Sequence, residues 1–142
     1  MKLVIDNSVV MRWLFKDGSD SDRIYTARVA HLVETAEIHV PTLFIAEAAN
    51  VISRALKAGV ITRTECTTFF DLINSMDAQV VGSKLTQGVM PSVFKAFDEG
   101  LSSYDASYLL LAEGLACPLA TLNKDLRRAA NNCGLQIACV ES

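Results

Sequence analysis

The chain has 142 residues, of which 51% are hydrophobic and 20% are charged, and its formal net charge is −3 at pH 7. This length and composition predict one domain with a sizeable core, and they exclude disordered and fibrous classes. The first residues reach an acid too soon for a signal peptide, and no apolar run approaches the roughly 18 residues of a membrane helix, so we expect a cytoplasmic protein that contacts no membrane.

Apolar runs of strand type alternate with helical patterns along the chain. In chain order they predict a strand at 3–5, a helix at about 21–36, a strand at 37–41, helices at 42–57 and 63–76, a strand at 78–82, helices at 86–100 and 104–116, a strand at 118–122, a helix at 124–134 and a strand at 135–140. Thr62 and Glu65 have the spacing of a capping box, whereas Pro91 must lie in the first turn of its helix or break it.

Because helix-length connections join successive strands, this pattern predicts an α/β fold. We expect residues 1–142 to form a single three-layer domain. Its centre is a parallel sheet of about four to five strands, with helices on both faces.

Several polar residues lie where they could share one edge of this sheet. Asp6 directly follows the first strand, and in open α/β sheets ligands gather at the carboxyl ends of the strands. Glu47 lies about one turn into an otherwise apolar helix, and Asp105 lies in a first turn. Asn123 and Asp125 directly follow the fourth strand. Each acid also has a structural alternative: a turn residue, part of a solvated helix stripe, or a charge favoured by a helix dipole.

Carboxylates brought together at this edge need a cation, because two charges about 4 Å apart repel by roughly 4 kcal/mol at an effective dielectric constant of about 20. A carboxylate site without histidine or cysteine selects hard ions, which predicts Mg²⁺ or Mn²⁺ rather than Zn²⁺. Two-metal carboxylate sites catalyse in-line displacement at phosphorus.

The four cysteines form no C-x-x-C pair and have no histidine cluster beside them, so we expect reduced core thiols.

Basic residues accompany this predicted site. Without the four acids, the net charge of −3 becomes +1, so the remaining surface is mildly basic. Lys124, Arg127 and Arg128 follow the fourth strand and predict contacts with nucleic-acid phosphates. The alternative is that they are ordinary charges on a helix surface.

These motifs together resemble a known family. Asp6-Asn7-Ser8 after a first strand, Glu47 in an alanine-rich helix and the segment SSYDASYLLLAEGLACPLATLNKDLRRAA are similar to the PIN-domain nucleases, especially the VapC-type toxins of toxin-antitoxin pairs. The resemblance implies a PIN-like fold and a Mg²⁺-dependent endoribonuclease that hydrolyses RNA phosphodiester bonds. The implied partners are RNA, a small cognate antitoxin and a second copy in a homodimer. The apolar stretches VISRAL and CTTFFDLI also favour association.

The resemblance assigns roles to individual residues. It matches Asp6, Glu47 and Asp105 with the first three acids of the family's metal site. It matches Ser8 and Thr121 with polar positions that support those ligands. The RNA that the resemblance implies would contact Lys124, Arg127 and Arg128, because these basic residues lie close to the predicted site.

The fourth acid of the family usually lies two residues after the motif threonine, where this sequence has Asn123. Either Asp125 replaces it as a catalytic and metal-binding residue, which we prefer, or Asn123 supplies its carbonyl oxygen. This departure leaves open a catalytically weakened PIN-like module that binds RNA or a protein. A phosphatase with Asp6 as nucleophile is disfavoured, because Ser8 occupies the place of the second acid in the haloacid-dehalogenase-like pattern.

Overall fold

A computed structural model describes residues 1–140 of the chain, apart from the side chain of Thr86. The last two residues of the predicted domain, 141 and 142, lie outside this description. The elements, in chain order, are β1 Lys2–Ile5, α1 Asn7–Leu14, α2 Asp20–Val33, β2 Glu37–Pro41, α3 Leu43–Lys57, α4 Arg63–Ser75, β3 Gln79–Val81, α5 Leu85–Glu99, α6 Ser103–Leu115, β4 Leu119–Ala120 and α7 Lys124–Asn132. No helix in the described range is long and apolar enough to cross a membrane.

Strand β1 lies inside the sheet and organises the core. The four strands are parallel and follow the order β3-β2-β1-β4. Leu3, Val4 and Ile5 have no exposed surface, because helices cover both faces of a parallel sheet at its centre. The predicted α/β fold with a central parallel sheet is therefore confirmed.

The carboxyl ends of β1 and β4 lie side by side at the edge where the acids were expected. Ile5 is in register with Ala120, and the backbone N–H of Asp6 donates to the Ala120 carbonyl at 2.9 Å. The next residue on each strand is polar: Asp6 after β1 and Thr121 after β4. Strand register thus places a carboxylate and a hydroxyl next to each other.

Helix α1 begins directly after β1, where the sequence pattern predicts no helix. Asn7 and Ser8 are its first residues, so the alternative that Asp6 is a turn residue is wrong. Asp6 is the extended residue that precedes the helix, with φ −91° and ψ 152°, but its side chain makes no capping hydrogen bond. The Asp6 carboxylate is therefore available to side chains at the sheet edge.

Two further expectations are corrected at the other end of the chain and in α5. Instead of a strand at 135–140, the described residues show one isolated parallel bridge between Leu119 and Ile137. Cys139 has a φ of 61°, which an extended strand does not allow.

Pro91 lies inside α5 rather than in its first turn. Because proline has no backbone N–H, the Gln87 carbonyl does not receive the hydrogen bond that a helix normally gives it. Gln87 is exposed, so water can donate to this carbonyl instead.

The capping box at the start of α4 is confirmed. The Thr62 hydroxyl accepts a hydrogen bond from the Glu65 backbone N–H at 3.1 Å. In return, the Glu65 carboxylate accepts one from the Thr62 backbone N–H at 3.2 Å. Two amide groups that the helix itself leaves without acceptors are thus satisfied.

We expect Thr62→Ala to lower the free energy of unfolding by about 1 kcal/mol, because it removes the side-chain half of this cap. Urea denaturation measures the effect. Thr64→Ala is the matched control, since Thr64 is exposed in the first turn of the same helix and takes no part in the capping box. Its effect should stay within about 0.5 kcal/mol. Equal losses in the two variants would contradict the role of the cap.

Candidate functional site

Asp6 is a buried carboxylate held by two hydroxyl groups. It is 6% exposed, and its Oδ2 atom accepts hydrogen bonds from Thr121 Oγ1 at 2.7 Å and Ser8 Oγ at 2.9 Å. Each hydroxyl in turn accepts a backbone N–H at 3.0 Å, from Asn123 and Leu122 respectively. Because the backbone supplies donors to both hydroxyl oxygens, both hydroxyl protons are directed to Asp6.

Glu47 lies half-buried on α3 and reaches across to α6. Its Oε1 atom accepts a hydrogen bond from the Tyr108 hydroxyl at 2.6 Å and from Asn7 Nδ2 at 3.3 Å. The structural alternative for Glu47 is a solvated stripe with Asn50, Arg54 and Lys57 at helical spacing. Those three residues are exposed, whereas Glu47 is half-buried and hydrogen-bonded to Tyr108 and Asn7. The contacts of Glu47 therefore favour the site over the stripe.

Asp105 is the third residue of α6, which Ser102 caps by accepting the Asp105 backbone N–H at 3.1 Å. Its carboxylate Oδ2 accepts a hydrogen bond from Asn123 Nδ2 at 3.1 Å. The Asn123 Oδ1 atom accepts the backbone N–H groups of Asp125 at 2.9 Å and Leu126 at 3.2 Å, so Asn123 caps α7. Asn123 therefore joins the third acid to the start of α7.

The three acids interact electrostatically. Burial raises the pKa of Asp6 above its ordinary value, and the hydrogen bonds from Thr121 and Ser8 partly offset that rise. The negative charges of Asp105 and Glu47 raise the pKa of Asp6 further. A positive charge placed among these carboxylates would relieve both the burial cost and the repulsion.

The oxygen donors fit a hard divalent cation in chemistry. Each of Asp6, Glu47 and Asp105 has one carboxylate oxygen held by the neutral donors described above, and its second oxygen accepts no hydrogen bond from residues 1–140. Oxygen ligands of this kind suit Mg²⁺ and Mn²⁺. Within the described part of the chain, however, no three His, Cys, Asp or Glu side chains are grouped closely enough to form a metal site. The donors are suitable, but they are not gathered into a coordination shell.

Asp125 lies apart from this group. It is exposed, and its Oδ1 atom is 2.9 Å from Arg128 Nη1, one turn further along α7. The structure does not bring it into contact with Asp6, Glu47 or Asp105 in the described chain. Its role as a catalytic and metal-binding residue stays a prediction.

The basic residues of α7 differ in their surroundings. Arg127 is half-buried: its Nε donates to the Thr121 carbonyl at 2.8 Å, and its guanidinium carbon lies 4.5 Å from the centre of the Tyr25 ring. Arg128 and Lys124 are exposed. Arg127 thus has contacts within the fold. The RNA-binding role of all three residues stays a prediction.

The sequence assigns no site role to Tyr108 or Asn7, although both donate to Glu47 in the structure. Tyr108 lies three residues after Asp105, and that spacing places both on one side of α6. Three leucines follow Tyr108 directly, and an apolar run of this kind predicts core packing rather than a role at the site. Burial and the hydrogen bond to Glu47 raise the pKa of Tyr108 far above its ordinary value, so the phenol remains a donor. Asn7 is part of the Asp6-Asn7-Ser8 motif, but the sequence assigns it no role of its own.

Comparisons with known proteins agree with this architecture. The model of the PIN domain family matches residues 3–132. The crystal structure of PAE2754 from Pyrobaculum aerophilum matches with a TM-score of 0.64, covering 91% of this chain and 79% of that one at 19% sequence identity. At this identity the likeness shows a shared fold. A search of curated proteins found no match.

We expect Asp6→Asn to raise the unfolding temperature of the metal-free protein at neutral pH. Asparagine keeps an oxygen for the Ser8 and Thr121 hydroxyls but removes a buried charge. Because folding raises the pKa of Asp6, its ionisation destabilises the folded state as pH rises through that raised pKa. The difference between variant and wild type should therefore vanish as pH falls below the ordinary value of 3.8.

Thermal melts in chelator across this pH range measure the effect, with Asp71→Asn as an exposed control on α4. A lower unfolding temperature for Asp6→Asn at neutral pH would contradict the electrostatic interpretation.

Proposed function

Because the chain belongs to the PIN domain family, we propose that it is a Mg²⁺-dependent endoribonuclease that hydrolyses RNA phosphodiester bonds. PIN domains are generally nucleases and typically use divalent metal ions. The observation that carries the proposal is the arrangement of Asp6, Glu47 and Asp105. They come from separate elements, and the charges of the latter two act on the buried Asp6 carboxylate.

In this proposal Asp6, Glu47 and Asp105 would hold the cation, with Mn²⁺ as the alternative to Mg²⁺. When bound, such a cation supplies an activated water and stabilises charge on the phosphate and the leaving oxygen. The chain's own neutral groups orient the carboxylates without cancelling their charge. These groups belong to Ser8, Thr121, Asn7, Tyr108 and Asn123.

Substrate contacts are proposed for the start of α7. Lys124 and Arg128 are exposed there, and Arg128 pairs with Asp125 at the surface, where a phosphate could compete for it. Arg127 already donates to the Thr121 carbonyl, so we expect it to contribute least to RNA binding. Such contacts bind the backbone without reading its sequence.

The regulatory part of the proposal is that the chain is the toxin of a toxin-antitoxin pair and forms a homodimer. The VapC-like residues of the sequence support it. Exposed apolar surface supports association in general: α3 and α4 line a groove of about 510 Å³, and α5 exposes Val89, Met90, Phe94 and Phe97. The groove includes Leu56 and Phe70, which belong to the apolar stretches noted in the sequence.

Asp6→Asn and Asp105→Asn should each reduce Mg²⁺-dependent cleavage of RNA on the order of 100-fold or more, because each removes a charged ligand. The assay uses the purified chain, free of any antitoxin, and a panel of structured and single-stranded RNAs. Asp71→Asn controls for the loss of one acidic charge from the surface. Full activity of either site variant at limiting Mg²⁺ would contradict the assignment.

The alternative, a catalytically weakened module, is favoured by one observation: Asn123 stands at the position of the fourth acid and caps α7. Such a module would bind RNA or protein but show no Mg²⁺-dependent cleavage across the panel. Wild-type protein that binds RNA without cleaving it would replace the nuclease proposal with this one.

The contacts of Asn123 favour it over Asp125 as the residue that completes the site. We expect Asn123→Ala to raise the Mg²⁺ concentration for half-maximal activity about 10-fold and to lower stability by about 1 kcal/mol, because it removes both the Asp105 donor and the α7 cap. Asp125→Ala loses an exposed ion pair and should change the Mg²⁺ requirement less than about 2-fold.

Asn123→Asp is the informative third variant, since aspartate also caps helices and restores the family's usual acid. It should tighten metal binding while α7 stays capped. If Asp125 rather than Asn123 completes the site, Asp125→Ala will raise the Mg²⁺ requirement more than Asn123→Ala does.

A further inference from the structure

Tyr108 connects two elements of the site through a buried hydroxyl group. The residue has no exposed surface although it lies on a helix that also carries Asp105. A buried phenol needs a hydrogen-bond partner, and here its acceptor is Glu47 Oε1 at 2.6 Å. The partner of this buried hydroxyl is thus one of the proposed metal ligands.

A carboxylate only accepts, so Tyr108 is the donor in this hydrogen bond, and Asn7 lies beside both groups. Its Nδ2 atom lies 3.3 Å from each of Phe44 O, Glu47 Oε1 and the Tyr108 hydroxyl. Reversing the amide would place its oxygen against two acceptors, the Phe44 carbonyl and the Glu47 carboxylate, so the observed orientation is the favourable one. With Asn7 donating to its oxygen, the Tyr108 hydroxyl directs its proton to Glu47.

Glu47 Oε1 therefore has two donors, whereas Oε2 accepts no hydrogen bond from residues 1–140. We propose that Tyr108 is a positioning residue, which holds Oε1 of Glu47 and so leaves Oε2 as the single metal-ligating atom from α3. This inference rests on the proposed function, because it gives Glu47 a metal to bind. Tyr108 acts through Glu47, because its buried hydroxyl donates to Oε1 of that carboxylate.

The first test is Tyr108→Phe, which keeps the ring and removes only the hydroxyl. Without that donor Glu47 regains rotamer freedom that metal binding must restrict. The dissociation constant for Mn²⁺, measured by calorimetry on the purified full chain without RNA, should rise about 10-fold. The cleavage rate at saturating Mg²⁺ should stay within about 2-fold. Tyr25→Phe is the matched control, because Tyr25 is also a buried tyrosine but donates to none of the three carboxylates; its Mn²⁺ affinity should equal that of wild type.

A double-mutant cycle separates positioning from general packing. In a Glu47→Ala background, Tyr108→Phe should cause no further loss of Mn²⁺ affinity, since the group it positions is gone. An equal loss with and without Glu47 would mean that Tyr108 only supports the fold. Unchanged Mn²⁺ affinity in Tyr108→Phe, with Glu47→Ala clearly impaired, would overturn the positioning role alone. Unchanged affinity in Glu47→Ala as well would refute the proposed metal site.

A second variant tests the inference in a protein that retains Tyr108. In Glu47→Gln, the two donors at Oε1 should select the amide oxygen, which leaves the amide NH₂ group at the ligand position. Because an NH₂ group cannot ligate a cation, Glu47→Gln should lose as much Mn²⁺ affinity as Glu47→Ala. If Glu47→Gln keeps clearly more affinity than Glu47→Ala, its oxygen has turned to the metal, and Tyr108 does not set the orientation.

Discussion

The burial of the Asp6 carboxylate at the end of a central strand is the constraint on which the site depends. Burial disfavours the charged form, and the nearby acids disfavour it further. Two hydroxyls, from Ser8 and Thr121, compensate through one oxygen, and the backbone at Leu122 and Asn123 orients those hydroxyls. The junction of β4 and α7 is thereby tied to the junction of β1 and α1. Backbone pairing brings the two strand ends together, and the hydrogen bonds to Asp6 link the junctions that follow them.

Asp6, Glu47 and Asp105 differ from the acids of the structural ion pairs in the type of donor that holds them. In the described chain, the ion pairs join other acids to basic side chains, whereas Asp6, Glu47 and Asp105 are held by hydroxyl and amide donors. Neutral donors orient a carboxylate but leave its charge unneutralised. Arginine or lysine at those places would stabilise the apo protein and oppose a cation. Among residues 1–140, the charges of these three carboxylates are therefore not offset by an ion pair with a basic side chain.

Sequence patterns predicted those parts of the structure that depend on local periodicity. Strand β2 has the predicted bounds, and Asp6 could be placed at the sheet edge because parallel strands end on the same side. Helix α1 was missed because Asn7 and Ser8 favour turns locally, whereas burial of Asn7 between α3 and α6 depends on tertiary contacts. The partnership of Tyr108 with Glu47 likewise depends on how α6 packs against α3, and no spacing in the sequence records that packing.

Asn123 shows why an amide is compatible with this edge. An aspartate there would set a second carboxylate against Asp105 Oδ2, at the place where the Asn123 amide now donates at 3.1 Å. The amide replaces that repulsion with a hydrogen bond, and its oxygen still caps α7. The edge then carries one negative charge fewer than it would with aspartate, and the Asn123 amide holds Asp105 Oδ2. The Asn123 amide also joins Asp105 to α7, which begins with the exposed Lys124. One side chain therefore orients Asp105 and caps the start of the basic helix.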